Sequence, residues 1–355
     1  MNSEKYIGLD VHQATISVAV RDCRGKVVME SILETKASTI LEFFAGLRGT
    51  LLVTFEEGTW AAWLYDLLKP HVAKVVVCNP RKNALLKDGN KNDRIDARKL
   101  AERLRLDNLK AVYHGETGVR MLRELARSYL TIVKDLTRVM NRLKALYRSW
   151  AIPCAGRDVY YTRHRSEWLE KIREVGVRRR AEQLYQQLDM LQRLRQQSRR
   201  ELLAESRKHP ITAKLRRIPS LGPIRSALAV ALIQTPHRFR TKRQLWTYSG
   251  LGLETRSSGE YGYLKGQLRR SKKCVSIRGL NKDHNHDLKG LFKAAATRAS
   301  VQPGPFQDFY QRSLAKGIKP TMVRLTLARK IAAVTLTLWK QGENFDLEKL
   351  KSQAA

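Results

Sequence analysis

Acidic residues are scarce in this 355-residue chain: 33 Asp and Glu stand against 68 Lys and Arg, a formal net charge of +35. An imbalance of that size bears on partners rather than on fold. It points to a polyanion, held through phosphate contacts that weaken as salt rises. Cysteine is also scarce. The four residues Cys23, Cys78, Cys154 and Cys274 are scattered and form no C-x-x-C pair, which excludes a disulfide framework and a cysteine zinc site and fits a reducing cytosol. Long apolar runs are missing: the stretch from Ser226 to Ile233 falls well short of the roughly 18 residues of a membrane span. The start, Met1-Asn2-Ser3-Glu4-Lys5, lacks the basic-then-apolar pattern of a signal peptide. Walker-type phosphate loops, zincin motifs and dinucleotide fingerprints are absent too, so neither ATP nor NAD dependence is indicated. The expectation is a cytoplasmic, nucleoid-associated protein with no membrane partner.

The positive charge is uneven. Residues 1–100 hold 15 basic and 12 acidic residues, whereas 101–355 hold 53 and 21. The acids that exist are therefore concentrated in a nearly balanced N-terminal region. There, residues 5–11, 15–20 and 26–32 read as three strands, with a turn at Asp22-Cys23-Arg24-Gly25. A helix at 37–47, a strand at 50–56, a helix at 59–69, a strand at 73–78 and a helix at 94–105 follow. A three-strand meander followed by alternating helix and strand is the order of the ribonuclease H fold, and crossover helices imply parallel later strands.

Four carboxylates fall at telling places in that order. Asp10 lies inside the apolar run Tyr6-Ile7-Gly8-Leu9-Asp10-Val11, where an acid is costly unless it is paired or bound to metal. Glu56 ends the run Leu51-Leu52-Val53-Thr54-Phe55-Glu56, with Glu57 as the competing choice. Asp93 and Asp96 stand three apart at a helix start, so they share a face. Read singly, that pair also suits a helix N-terminus. Together the four make a cage of hard oxygens suited to Mg²⁺. Two such ions about 4 Å apart activate a nucleophile and stabilise a leaving oxygen in phosphodiester cleavage.

The remainder reads as helical. Leu122, Leu125, Tyr129, Ile132, Leu136, Val139, Leu143, Leu146 and Trp150 alternate spacings of three and four, a heptad repeat of coiled-coil type. A second helical stretch at 165–208 carries Leu184, Leu188, Leu191 and Leu202. It either pairs with the first as a hairpin or zips with another chain. Beyond it, Ile218-Pro219-Ser220-Leu221-Gly222-Pro223 feeds an apolar helix. This is similar to a helix-hairpin-helix element, in which the backbone at Gly222 and a helix N-terminus face phosphate. Arg269-Arg270-Ser271-Lys272-Lys273 is a compact basic cluster, giving Arg269, Arg270, Lys272 and Lys273 as candidate nucleic-acid contacts. The expected division is 1–110, an α/β domain; 111–208, a helical coiled-coil spacer; 209–345, a mostly helical C-terminal domain; and 346–355, a tail.

Ile7-Gly8-Leu9-Asp10, Phe55-Glu56-Glu57-Gly58-Thr59-Trp60, Cys78-Asn79-Pro80 and Asn92-Asp93-Arg94-Ile95-Asp96-Ala97-Arg98, with Ser249-Gly250-Leu251 and Ser257-Ser258-Gly259 downstream, resemble the DEDD-type insertion-sequence transposases. These are the bridge-RNA-guided DNA recombinases, and the resemblance runs nearly end to end. It implies a Holliday-junction-resolvase (RuvC-like) N-terminal domain whose acids, here Asp10, Glu56, Asp93 and Asp96, bind Mg²⁺. It also implies a C-terminal transposase domain in which Ser258 attacks DNA and forms a covalent phosphoserine. A structured guide RNA, donor and target DNA, and a homo-oligomer (dimer or tetramer) with composite active sites are implied as partners. A hydrolytic junction resolvase, with metal-activated water and a structural Ser258, is the alternative. The chain departs from the family pattern in two places. Its Glu56-Glu57-Gly58-Thr59 spacing is one residue tighter, which keeps Glu57 open. A segment containing His284 and His286 stands where relatives show a lysine-glycine motif.

Overall fold

The computed structural model describes residues 4–80, 92–114, 117–256, 261–270 and 276–346. Met1–Gly115 and Glu116–Ala355 form two compact units. Ser258, Lys272 and Lys273 lie outside the described residues, as does the side chain of Arg270.

In the first unit, strands β1 (Glu4–Val11), β2 (Thr15–Arg21) and β3 (Val27–Glu34) form an antiparallel meander. Helix α1 (Ala37–Ala45) leads to β4 (Thr50–Glu56), and α2 (Ala61–Leu68) leads to β5 (Lys74–Cys78). Both later strands run parallel, giving one five-stranded mixed sheet in the order β3-β2-β1-β4-β5. The β-branched and apolar content of these runs explains their conformation. Ile7 and Leu9 of β1, Val18 and Val20 of β2, and Val53 and Phe55 of β4 are almost fully buried with Leu64 and Leu68 of α2.

The opposite face of the sheet receives α3 (Asp93–Arg105), which packs on β1 and β2. The approach is unusually close. A Cβ placed on Gly8 would sit 2.2 Å from the Ala97 carbonyl oxygen and 2.5 Å from the Ala101 nitrogen. Only glycine admits the helix backbone at that point. The small residues Ala97 and Ala101, both fully buried, complete the contact. Ion pairs hold the helix on the meander: Arg98 binds both oxygens of Glu30, and Glu102, paired with Arg105 at 2.5 Å within the helix, reaches Arg21 of β2 at 3.5 Å.

In the second unit, the long helices α4 (Arg120–Ser149) and α6 (Val175–Ser206) pack against one another, with the short α5 (Arg165–Glu170) between them in the chain. Leu136, Val139, Leu143, Leu146 and Tyr147 of α4 share a core with Ala181, Leu184, Tyr185 and Leu188 of α6. Leu122 and Ala126, at the start of α4, cluster instead with Leu202 near the end of α6. The pairing is therefore an antiparallel hairpin within one chain. Trp150, the last residue of the heptad series, is 49% exposed. Inside the hairpin the Tyr147 and Tyr185 hydroxyls meet at 3.1 Å, and Arg165 grips Asp189 through two bonds of 2.7 and 2.8 Å while its guanidinium lies over the Tyr185 ring. Burial pushes the Tyr185 hydroxyl far above its ordinary pKa, so it stays protonated.

The remaining helices are α7 (Pro210–Leu215), α8 (Pro223–Ile233), α9 (Lys242–Tyr248), α10 (His286–Ala299), α11 (Pro305–Ala315) and α12 (Pro320–Gln341). Helices α4, α6, α7 and α10 pack around α8, whose Ala227, Ala229, Val230, Ala231 and Ile233 are buried. Two small β pairs were not apparent in the sequence: β6 (Leu253–Arg256) with β9 (Ser276–Leu280), and β7 (Tyr261–Leu264) with β8 (Gln267–Arg270). The second is a two-residue hairpin. Lys265 and Gly266 both have positive φ, 51° and 75°, the geometry whose twist suits a tight antiparallel turn. Among the described residues no helix is long and apolar enough to cross a membrane.

Candidate metal centre

Along β1, side chains alternate faces. Ile7 and Leu9 enter the core, so Gly8 and Asp10 lie on the α3 side. The seat that Gly8 provides for Ala97 places the first turn of α3 beside Asp10. Asn92 caps that turn, accepting the Arg94 amide at 3.1 Å, and Asp93 and Asp96 belong to it. On β4, Thr54 pairs with Gly8 and Phe55 with Leu9. Glu56, one residue further, therefore shares the Asp10 face at the same end of the sheet.

Among the described residues, Asp10, His12 and Asp93 bring ligand atoms within 4.8 Å of one another. The His12 Nε2 lies 3.1 Å from Asp10 Oδ2 and 3.6 Å from Asp93 Oδ1. Glu56 and Asp96 fall outside that tight group, although Asp96 is near enough to act on Asp10 electrostatically. Burial, reinforced by the charges of Asp93 and Asp96, pushes the Asp10 carboxyl above its ordinary pKa, with His12 pulling the other way. The Asp96 Oδ1 is buried without a hydrogen-bond partner. A raised carboxyl and an orphaned carboxylate oxygen are what a cation-binding site shows without its cation. The residues present fit a divalent ion.

Glu57 points elsewhere. Its carboxylate meets His114 Nε2 at 2.6 Å, and the His114 ring, 8% exposed, stacks near Tyr65. Its own amide donates to the Cys78 carbonyl at 2.8 Å. Reading the acids alone overlooked His12. Its signal was present as Asp10-Val11-His12, a spacing of two at a strand end.

The other candidates belong to the second unit. Gly222 is the N-cap of α8 and Pro223 its first residue. The Gly222 carbonyl accepts the Ser226 amide at 3.0 Å, and Ser220 just before it has a φ of 71°. Arg269 stands exposed on β8, and Arg270 ends that strand. Gly250, in Ser249-Gly250-Leu251, has a φ of 64°, and the His284 ring sits where its Cβ would be. Both His284 nitrogens are buried without partners, and burial and nearby Lys289 lower its pKa. A recess of about 200 Å³ lined by Arg123, Arg127, Lys134, Tyr248, Asn285 and Asp287 opens beside α4.

Two family models match this sequence. Residues 7–150 match a DEDD-type IS110 transposase model, and residues 212–311 match the transposase model of the IS116/IS110/IS902 family. Both matched segments are similar to transposase domains of the IS110/IS116 family. The first match contains Asp10, His12, Glu56, Asp93 and Asp96; the second contains Gly222, Ser258 and the basic cluster at 269–273. A relative from Streptomyces clavuligerus, the insertion element IS116 uncharacterized 44.8 kDa protein, is 27% identical over 113 residues. That alignment covers 32% of this chain and 25% of the relative.

Proposed function

We propose that the protein is the transposase of an insertion sequence, a divalent-metal-dependent DNA recombinase that cuts and rejoins DNA through a phosphoserine. One observation carries this reading: Asp10 and Asp93 converge at the end of the central strand β1, inside the segment that matches the DEDD transposase model. The sheet order, with an antiparallel meander and two parallel strands after it, supports a ribonuclease H-like domain of the RuvC type. The charge of +35 supports DNA, donor and target, as partner, with a guide RNA sharing the basic surface. The division into 1–110, 111–208 and 209–345 belongs to the same proposal.

On this reading Asp10, Glu56, Asp93 and Asp96 hold Mg²⁺, which supplies Lewis-acid activation of the scissile phosphate when bound. The chain's own residues do the rest. Asp10 is fixed by its strand, and Asp93 and Asp96 by the seat of α3 on Gly8. The Ser258 hydroxyl loses its proton as its oxygen attacks phosphorus. The P–O bond to the departing strand breaks, and that strand leaves as a free hydroxyl end. One phosphodiester is exchanged for another, so the bond needed for rejoining is conserved. A homo-oligomer would let the acids of one subunit meet the serine of another.

The test is direct. Full-length protein, MgCl₂ and DNA bearing the element ends are incubated, denatured and resolved for protein-linked DNA. The expected result is an adduct lost in Ser258→Ala and in Asp10→Ala. Cleavage without an adduct would establish water as the nucleophile and overturn the serine step. Sequencing RNA co-purified with the protein tests guidance: a discrete species encoded beside the gene is expected, and bulk cellular RNA refutes it.

A further inference from the structure

We infer that His12 is a ligand of the metal centre, making it a mixed nitrogen–oxygen site that favours a Mn²⁺-class ion over Mg²⁺. The inference rests on the metal-centre reading above and adds a residue that an all-carboxylate quartet does not contain.

The geometry comes first. Donors around an octahedral ion with bonds near 2.1 Å lie about 3 Å apart when adjacent and about 4 Å apart when opposite. The Asp10–His12 separation of 3.1 Å is that of adjacent donors, and the His12–Asp93 separation of 3.6 Å lies between the adjacent and opposite values. The nitrogen facing both carboxylates is Nε2, so ligation leaves the ring proton on Nδ1.

The backbone holds the ring in place. The His12 amide donates to Thr15 at 2.9 Å, and its carbonyl accepts the Thr35 hydroxyl at 3.0 Å. These bonds tie the β1–β2 turn to the end of β3. The His12 side chain is half exposed, so core packing does not account for its position. The orphaned Asp96 Oδ1 beside the group is a second, separate sign that a cation completes it.

Chemistry then gives the preference. Carboxylate and water sets suit Mg²⁺ and Mn²⁺ alike, whereas imidazole suits first-row transition ions, of which Mn²⁺ is the one nearest to Mg²⁺ in its liking for oxygen. Replacing one oxygen donor by a neutral nitrogen lowers the negative charge that draws Mg²⁺ and strengthens the bond to the softer ion.

The test uses the full chain with MnCl₂ and MgCl₂ as probes. Mn²⁺ binding is followed by loss of the free-ion electron spin resonance signal, and Mg²⁺ binding by competition. In the wild type, electron spin echoes from bound Mn²⁺ should carry the modulation of a directly bonded imidazole nitrogen. In His12→Ala that modulation should vanish, Mn²⁺ affinity should fall about tenfold, and Mg²⁺ affinity should change less than about threefold. His12→Gln, which keeps bulk and polarity, should behave alike and covers the case in which the alanine variant fails to fold. Nitrogen modulation absent from the wild type, or unchanged in both variants, overturns the assignment. Asp10→Asn separates the two levels of inference. If it removes binding of both ions while His12→Ala alters nothing, only the His12 ligand is wrong. If it binds both as the wild type does, the metal centre itself is wrong.

Discussion

Gly8→Ala is the sharpest perturbation available, because one methyl group would challenge both the fold and the site. The new Cβ would stand 2.2 Å from the Ala97 oxygen and 2.5 Å from the Ala101 nitrogen, with the Leu100 Cβ at 3.0 Å. The two nearest atoms are backbone, so no rotamer change relieves them. Carbon–oxygen and carbon–carbon contacts need about 3.3–3.5 Å, so α3 must lift by about 1 Å. Overpacking of this kind costs about 2 kcal/mol, or roughly 30-fold in a local opening equilibrium. Asp93 rides on the first turn of α3 and moves with it, spoiling donor spacings of 3.1 and 3.6 Å. A displacement near 1 Å should lower Mn²⁺ affinity by about tenfold or more. Hydrogen exchange read by mass spectrometry on peptides from β1 and α3 measures the first effect, and Mn²⁺ titration the second. Gly46→Ala is the control: its φ of −75° suits alanine, and its nearest neighbour would lie 3.6 Å away. Exchange and affinity within twofold of wild type in Gly8→Ala would falsify the account of how α3 is seated.

Further expectations concern charge and packing. Asp10 has a raised pKa, so the folded protein holds its proton more tightly than the unfolded chain does. The stability this contributes is present below the ordinary carboxylate range and is lost as pH rises through the raised value. Without metal, Asp10→Asn should therefore slow hydrogen exchange of β1 at pH 7 relative to wild type, and should flatten its pH dependence; faster exchange would contradict the sign. Tyr147→Phe leaves the buried Tyr185 hydroxyl without its 3.1 Å partner and should destabilise the α4–α6 hairpin by about 1–2 kcal/mol in urea unfolding. Leu143→Ala, at a fully buried position, should cost about 2–5 kcal/mol through the cavity it opens. If DNA is held by six or more phosphate contacts, affinity should fall by about 10³ or more between 50 and 200 mM salt, and a flat response in a filter-binding assay would argue against phosphate grip.

The order of strands and helices in the N-terminal unit was legible because its apolar runs are short, β-branched and bounded by turns. The heptads marked α4, but they did not say what α4 would meet: a heptad face is satisfied by any complementary apolar face. Its partner is α6 of the same chain, with Leu184 and Leu188 across from Leu143 and Leu146. The β7–β8 hairpin was missed because Lys265 shares the turn with Gly266, and lysine gives no warning of positive φ.

By itself, the sequence determined the chemical character of the site. A buried-strand aspartate, a strand-end glutamate and a helix-start pair of acids announce hard-cation chemistry wherever they meet. The approach of two of them, Asp10 and Asp93, was decided by the tertiary structure. Gly8 and Ala97 are far apart in the chain, and only their contact sets α3 close enough for Asp93 to approach Asp10. The contact of Glu57 with His114, at 2.6 Å, was likewise not legible in the sequence. Strand alternation carries His12 back to the Asp10 side, but only the turn held by Thr15 and Thr35 aims its ring at both carboxylates. Residue types set which ligands are available, while the backbone packing distance, fixed to a few tenths of an ångström by one missing methyl group, sets which of them converge.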